Sequence, residues 1–183
     1  VTRDSDSAPG AGDTRPSAGA RWVVVALFEP LAVGTTFDRS AWPEHVTLAS
    51  NFALDVPVAC LIDAVLRACR PAGPLLVEFA GGALFGPDRN IPVQLVRSTA
   101  IVALHHGLAD RIESLPGFVA DAPGYWRDGY RPHVTLRPST RVAEGDMWAA
   151  TGIALAGLRG STARVMAYAR HPNDGIASAT APG

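Results

Sequence analysis

The chain has 183 residues, nearly half of them apolar, which is enough for one packed core, and no apolar run approaches the ~20 residues that span a bilayer. Its sixteen basic residues are all arginine. Without lysine, P-loop nucleotide hydrolysis, Schiff-base catalysis, lysyl-adenylate ligation and the kinase strand lysine are excluded. A net charge of −1 also argues against a duplex DNA binder, which needs a basic stripe, and leaves a small anionic substrate or one end of a nucleic acid.

Residues 1–20 carry one large aliphatic residue and no aromatic, so they cannot offset their own ordering entropy and are expected to be a disordered tail. The same holds for 173–183, which leaves 21–172 as a single folded domain. "RWVVVALFEP" (21–30) is apolar and β-branched, a strand ended by Pro30. It is too short for a membrane span and lacks the cleavage site of a signal peptide, so a cytoplasmic protein with no membrane contact is expected. From Val58 the apolar residues recur at helical spacing to Cys69, with Asp55 as N-cap and "RPAGP" (70–74) as the stop. Cys60 and Cys69 lie on opposite faces of that helix and form neither a disulfide framework nor a zinc set; both thiols are expected to be at least half-buried.

"LLVEFAGGALFG" (75–86) reads as a strand bent at its glycines, and "IPVQLVRS" (91–98) as another. Ser98 or Thr99 caps a second helix running to about Leu115. A loop rich in Gly, Tyr and Trp (117–130) follows. "AEGDMWAA" (143–150) is expected to be a short helical piece. "GIALAGL" and "ARVMAYAR" form a hairpin turned at "RGST".

Two of the five histidines head the same tetrapeptide, in "WPEHVTLASNF" (42–52) and "YRPHVTLRPST" (130–140). Strand alternation puts His45 with Thr47, and His133 with Thr135, on one face, and sends Val and Leu of each copy into packing. The period continues to Arg137, which adds a positive charge to the polar face of the second copy. An imidazole beside a hydroxyl handles phosphate: the ring gives or takes a proton near neutral pH, and the hydroxyl donates to a non-bridging oxygen. Two such units facing one another supply a base on one side of a phosphodiester and an acid on the other, with no metal and no cofactor. One H-x-T-apolar string alone is usually an ordinary half-buried strand. Two copies, each preceded closely by proline, favour chemistry.

On these paired motifs the sequence resembles the two-histidine (2H) phosphoesterase superfamily, in its bacterial RNA 2′,3′-cyclic phosphodiesterase or 2′–5′ RNA ligase-like branch. The resemblance covers about 21–170. It implies an α+β fold, bilobal and pseudo-twofold, with two antiparallel-rich sheets, each with a packed helix, and a central cleft holding both motifs. It further implies a phosphodiesterase acting on a nucleotide or RNA terminus with a cyclic phosphate. His133 would be the general base and His45 the acid, with Thr47 and Thr135 binding phosphate. The motifs alone leave the two histidine roles interchangeable. They equally admit 2′,5′-phosphodiesterase or ligase activity, another cyclic-phosphate metabolite, and non-catalytic binding of an RNA end. Arg137 stands one position earlier than the arginine of many bacterial members.

Substrate-binding candidates beyond the motifs are Tyr125, Trp126 and Tyr130, in the loop entering the second motif, with Arg131 and the flanking Arg127 and Arg141 as a basic rim. Trp42 lies near the same segments, and Phe52 and Phe85 read better as core. His105 and His106 are adjacent on a helix and do not face one metal, so a half-buried and a surface histidine are expected. His171 reads as solvated. A monomer is expected.

Overall fold

The computed structural model describes residues 20–69, 75–86 and 88–170. The expected tails, the "RPAGP" helix stop and His171 lie outside them. Among the described residues, ten strands form one antiparallel sheet: β1 (Arg21–Leu27), β2 (Thr36–Asp38), β3 (His45–Ala53), β4 (Leu76–Phe85), β5 (Ile91–Arg97), β6 (Val119–Ala120), β7 (His133–Val134), β8 (Met147–Ala149), β9 (Gly152–Arg159) and β10 (Thr162–Arg170). The spatial order is β2-β10-β9-β1-β3-β7-β5-β4-β8, with β6 added on β3. Two helices, α1 (Val58–Ala68) and α2 (Thr99–Glu113), pack against each other and on one face.

The expected two sheets are thus joined into one. The halves meet where β3 pairs with β7, at Val46 and Val134, both completely buried. One half takes its strands from both ends of the described chain: β1 and β3 from the start, β9 and β10 from the finish. The other is made of β4, β5, β7 and β8.

Alternation along β1 explains the two cores. Val24 and Ala26 join Val46, Leu48, Val134 and the helix residues Leu61, Val65, Ile101 and Leu108 in the larger core. Val23, Val25 and Leu27 join Ala156, Leu158 and Val165 in a smaller core on the other face. Because Val46 and Leu48 point to the helices, His45 and Thr47 must point to the helix-free face.

Three local expectations are corrected. The α1 N-cap position is Pro57, with no side-chain cap, and Asp55 instead gives its backbone N–H to Pro116 O at 3.0 Å. Pro57 holds a φ of −55° and cannot continue a strand ladder, so the helix begins after it. The "AEGDMWAA" segment holds strand β8 rather than a helix. It pairs with β4 through Leu76–Ala149 and Glu78–Met147, and Trp148 packs edge-on to both Phe28 and Phe79 at 5.0 Å, so sheet-edge pairing overrides local propensity. Cys60 is exposed, whereas Cys69 is buried.

Other expectations hold. Ser98 caps α2 by accepting from Ile101 N, and the β9–β10 hairpin turns at Gly160. β4 carries a register shift between Phe79 and Gly82, where Gly81 adopts φ +94°, a conformation that favours glycine.

Truncating Val134 should weaken the seam between the halves. Val134→Ala is expected to destabilise by about 2 kcal/mol and to lower the melting temperature by roughly 6 °C, as read by thermal denaturation.

Candidate active site

Antiparallel pairing of Val46 with Val134 brings His133 and Thr135, which flank Val134, up beside His45 and Thr47, which flank Val46. All four side chains line one cavity of about 400 Å³ on the helix-free face. A single backbone pair therefore builds a square with histidine and threonine on alternate corners.

The two imidazoles are held alike. His45 Nδ1–H donates to Pro43 O and His133 Nδ1–H donates to Arg131 O, both at 2.8 Å and both to the carbonyl two residues upstream. A carbonyl only accepts, so each ring carries its proton on Nδ1 and leaves Nε2 unengaged. An aromatic ring flanks each histidine: Trp42 lies 4.8 Å from His45, and Phe85 lies 4.4 Å from His133.

Burial is the largest influence on both rings and lowers their proton affinity below the ordinary histidine value. Smaller influences differ in sign. The backbone acceptors raise both; Glu44 also raises His45 and charge on His133 lowers it, whereas Arg131 lowers His133. Both rings are therefore biased toward the neutral form.

Charge around the square is arranged by a second set of contacts. Glu44 is buried, and its carboxylate accepts from the Thr140 hydroxyl at 2.7 Å and the Arg137 N–H at 3.3 Å, and it pairs with the Arg137 guanidinium at 3.1 Å. Burial alone would raise this carboxyl, but those donors and the guanidinium together hold it below the usual range. Arg39 and Arg131 line the cavity, and neither forms an ion pair among the described residues.

Strand β3 is secured from behind by His105. Its Nδ1–H donates to Leu48 O at 2.7 Å, and its Nε2 accepts the Arg127 N–H at 2.9 Å. Tyr130 stacks on the His105 ring at 3.8 Å and donates its hydroxyl to Thr47 O at 2.8 Å. Arg127 sits at φ +56°, unusual for a side-chain-bearing residue, and is clamped there by Glu113 and Asp110. The first motif strand, helix α2 and the loop entering the second motif are thereby tied together.

The family model of the 2′-5′ RNA ligase superfamily matches residues 24–151, a span that contains both motifs. The chain belongs to the 2′-5′ RNA ligase superfamily. Among solved structures, TT0787 of Thermus thermophilus aligns at 19% identity over 85% of this chain and 100% of its own, with a TM-score of 0.52. LigT of E. coli, crystallised with 3′-AMP, aligns at 15% identity over 83% of this chain and 98% of its own, with a TM-score of 0.50. At these identities the likeness concerns the fold. No curated protein matches the chain. No described helix is long and apolar enough to cross a membrane.

Of the residues expected at the site of this superfamily member, His45, Thr47, His133, Thr135, Tyr125, Tyr130 and Arg131 line the cavity. Arg137 and Trp126 do not. The ladder of β7 stops at Val134, so alternation does not carry Arg137 inward; it turns to Glu44 and Glu29 instead. Trp126 is buried among Phe52, Phe118 and His105, because its loop folds down onto α2. Arg127 and Arg141 do not form a free rim either: the first is ion-paired and the second donates to Pro138 O and Thr140 O. His105 is wholly buried, with both nitrogens engaged, where half-burial was expected.

Phe85 is the cavity residue that sequence reading misplaced in the core. The signal was its position at the end of a glycine-bent strand. Asn51, Asp121 and Arg39 also line the cavity with no sequence pattern to mark them.

His45, His105 and His133 all bind a proton less readily in the fold than free histidine does, burial being the largest cause in each. As pH falls through about 6.5 the unfolded chain takes up protons first, so stability is greatest above that value and declines below it. Urea unfolding should give a smaller free energy at pH 5.5 than at pH 7.5. His105→Ala should cost about 2–4 kcal/mol at pH 7.5 and show a shallower slope between the two.

Proposed function

We propose that the protein is a phosphodiesterase that opens 2′,3′-cyclic phosphates of nucleotides or RNA ends by paired histidine acid–base catalysis. The observation that carries this reading is the matched Nδ1 anchoring of His45 and His133, which leaves two Nε2 atoms unengaged at opposite corners of one square. In-line displacement at phosphorus needs that disposition: one group takes a proton from the nucleophile while another gives one to the leaving oxygen.

In this scheme the neutral His133 Nε2 removes a proton from water as the water oxygen bonds to phosphorus. The bond from phosphorus to one ribose oxygen breaks, and the Nε2–H of protonated His45 supplies the proton that oxygen needs. Thr47 and Thr135 donate their hydroxyls to the non-bridging oxygens, and Arg39 and Arg131 offset the charge that develops there. The hydroxyls of Thr47 and Thr135 make no hydrogen bond to other described residues, so they are available for this work. No metal enters the scheme.

The near-identical anchoring of the two rings also suits the reverse assignment, in which a ribose hydroxyl replaces water and the product is a 2′,5′ linkage. Supplying a 5′-hydroxyl oligonucleotide with the cyclic phosphate distinguishes ligation from hydrolysis.

Phosphorus NMR of nucleoside 2′,3′-cyclic phosphates, in excess chelator, should show conversion to monophosphate. His45→Ala and His133→Ala should each lower kcat about 10²–10⁴-fold. No turnover by the wild type, or turnover undiminished in both variants, would sink the proposal. The profile of kcat/KM against pH should be bell-shaped and centred below about 6.5, because both histidines are shifted downward. Glu44→Gln removes a charge that favours the His45 imidazolium and should move the basic limb to lower pH.

A further inference from the structure

Strand β3 does not stay regular beyond Thr47. Its register against β1 slips between the pairs Val25–Thr47 and Val24–Ala49, and again before Trp22–Phe52. Bulges of this kind re-aim side chains. Here they bring the consecutive residues Ser50 and Asn51 both to the cavity wall, where strict alternation would present only one. Asp121 is hydrogen-bonded alongside: its N–H donates to Asn51 O at 2.9 Å, and its Oδ1 accepts from Arg21 Nε at 2.8 Å. The Asn51 amide has no partner among the described residues, and the Ser50 hydroxyl is buried without one.

Four residues on from Asp121 in the same loop stands Tyr125, which also lines the cavity and is 43% exposed. It stacks with Phe85 at 6.1 Å, but Phe85 is itself enclosed by His133 at 4.4 Å and by the Arg131 guanidinium at 5.4 Å. Tyr125 is therefore the ring of this wall with an open face. Asn51 lies four residues past Thr47, roughly 10–13 Å along the strand, which matches the reach from a phosphate at the square to the far edge of its base.

We infer that Asn51, Asp121 and Tyr125 form a nucleobase subsite that prefers bases carrying an exocyclic amine over uracil. The inference rests on the cavity being a nucleotide site with its phosphate at the histidine square, as proposed above. Tyr125 takes the face of the base. Asn51 offers a donor to a ring nitrogen, and the Asp121 carboxylate accepts from the amine of adenine, cytosine or guanine. Uracil would turn a carbonyl toward that carboxylate, acceptor against acceptor.

Equilibrium binding of adenosine, cytidine and uridine 3′-monophosphates reads this subsite without requiring turnover. The first two should bind about 10-fold more tightly than the third. In Asp121→Ala that ratio should fall toward one, and Tyr125→Ala should weaken all three by about 10-fold while keeping the ratio. Equal affinity of the wild type for the three nucleotides would overturn the inference. So would an Asp121→Ala variant that binds all three more weakly with the ratio intact, since that pattern reports damage to the loop. A wild type that keeps the binding ratio yet never opens a cyclic phosphate overturns the hydrolase reading and leaves the subsite standing.

Discussion

Everything at the site hangs on the pairing of Val46 with Val134. Among the described residues it is the one register pair between β3 and β7, and it joins the two halves of the sheet. The valines face the helices and are sealed there, so neither strand can rotate without exposing buried apolar surface. Slipping one strand of the pair by a single residue would turn its histidine into the larger core. Position of one histidine relative to the other is therefore set by hydrophobic burial on the opposite face of the sheet, not by any bond between the two rings. Covalent distance along the chain plays no part.

Most polar residues around the cavity divide by whether the protein uses them itself. Glu44, Arg127, Arg137, Thr140, Tyr130 and His105 are all engaged with other parts of the fold. Thr47, Ser50, Asn51 and Thr135 make no side-chain hydrogen bond among the described residues, and the two histidines keep Nε2 open. Leaving polar groups unsatisfied in a half-buried concavity costs stability unless a ligand satisfies them. The engaged set ties the surroundings of the cavity to the rest of the fold, and the unengaged set is left facing the cavity.

How much of this was legible in the sequence depended on whether the pattern was local. The "HVTL" strings announced both the two-sided strands and the four corners of the square, because period-two alternation is a property of the strand alone. Helix α2 and its Ser98 cap were equally readable. Arg137 was misjudged because alternation holds only while the ladder does, and the ladder ends at Val134. Strand β8 was missed because an edge strand of three residues is made by its neighbour β4 and not by its own composition. Asn51 and Asp121 meet through bulges in one strand and a turn in a distant loop, and no spacing rule connects them. Trp126 and Phe85 exchanged roles for a related reason: which aromatic ends up buried depends on where the loop folds down, a tertiary outcome.

The sheet order has a consequence for how the molecule is made. The half that contributes His45 needs β9 and β10 beside β1, and these are the last strands of the described chain. During synthesis β4, β5, β7 and β8 can pair among themselves, while β1 and β3 wait with one edge and one apolar face uncovered. The square is fully flanked by its sheet only once β10 has been delivered, which leaves the early strands the part most exposed to misassociation along the way.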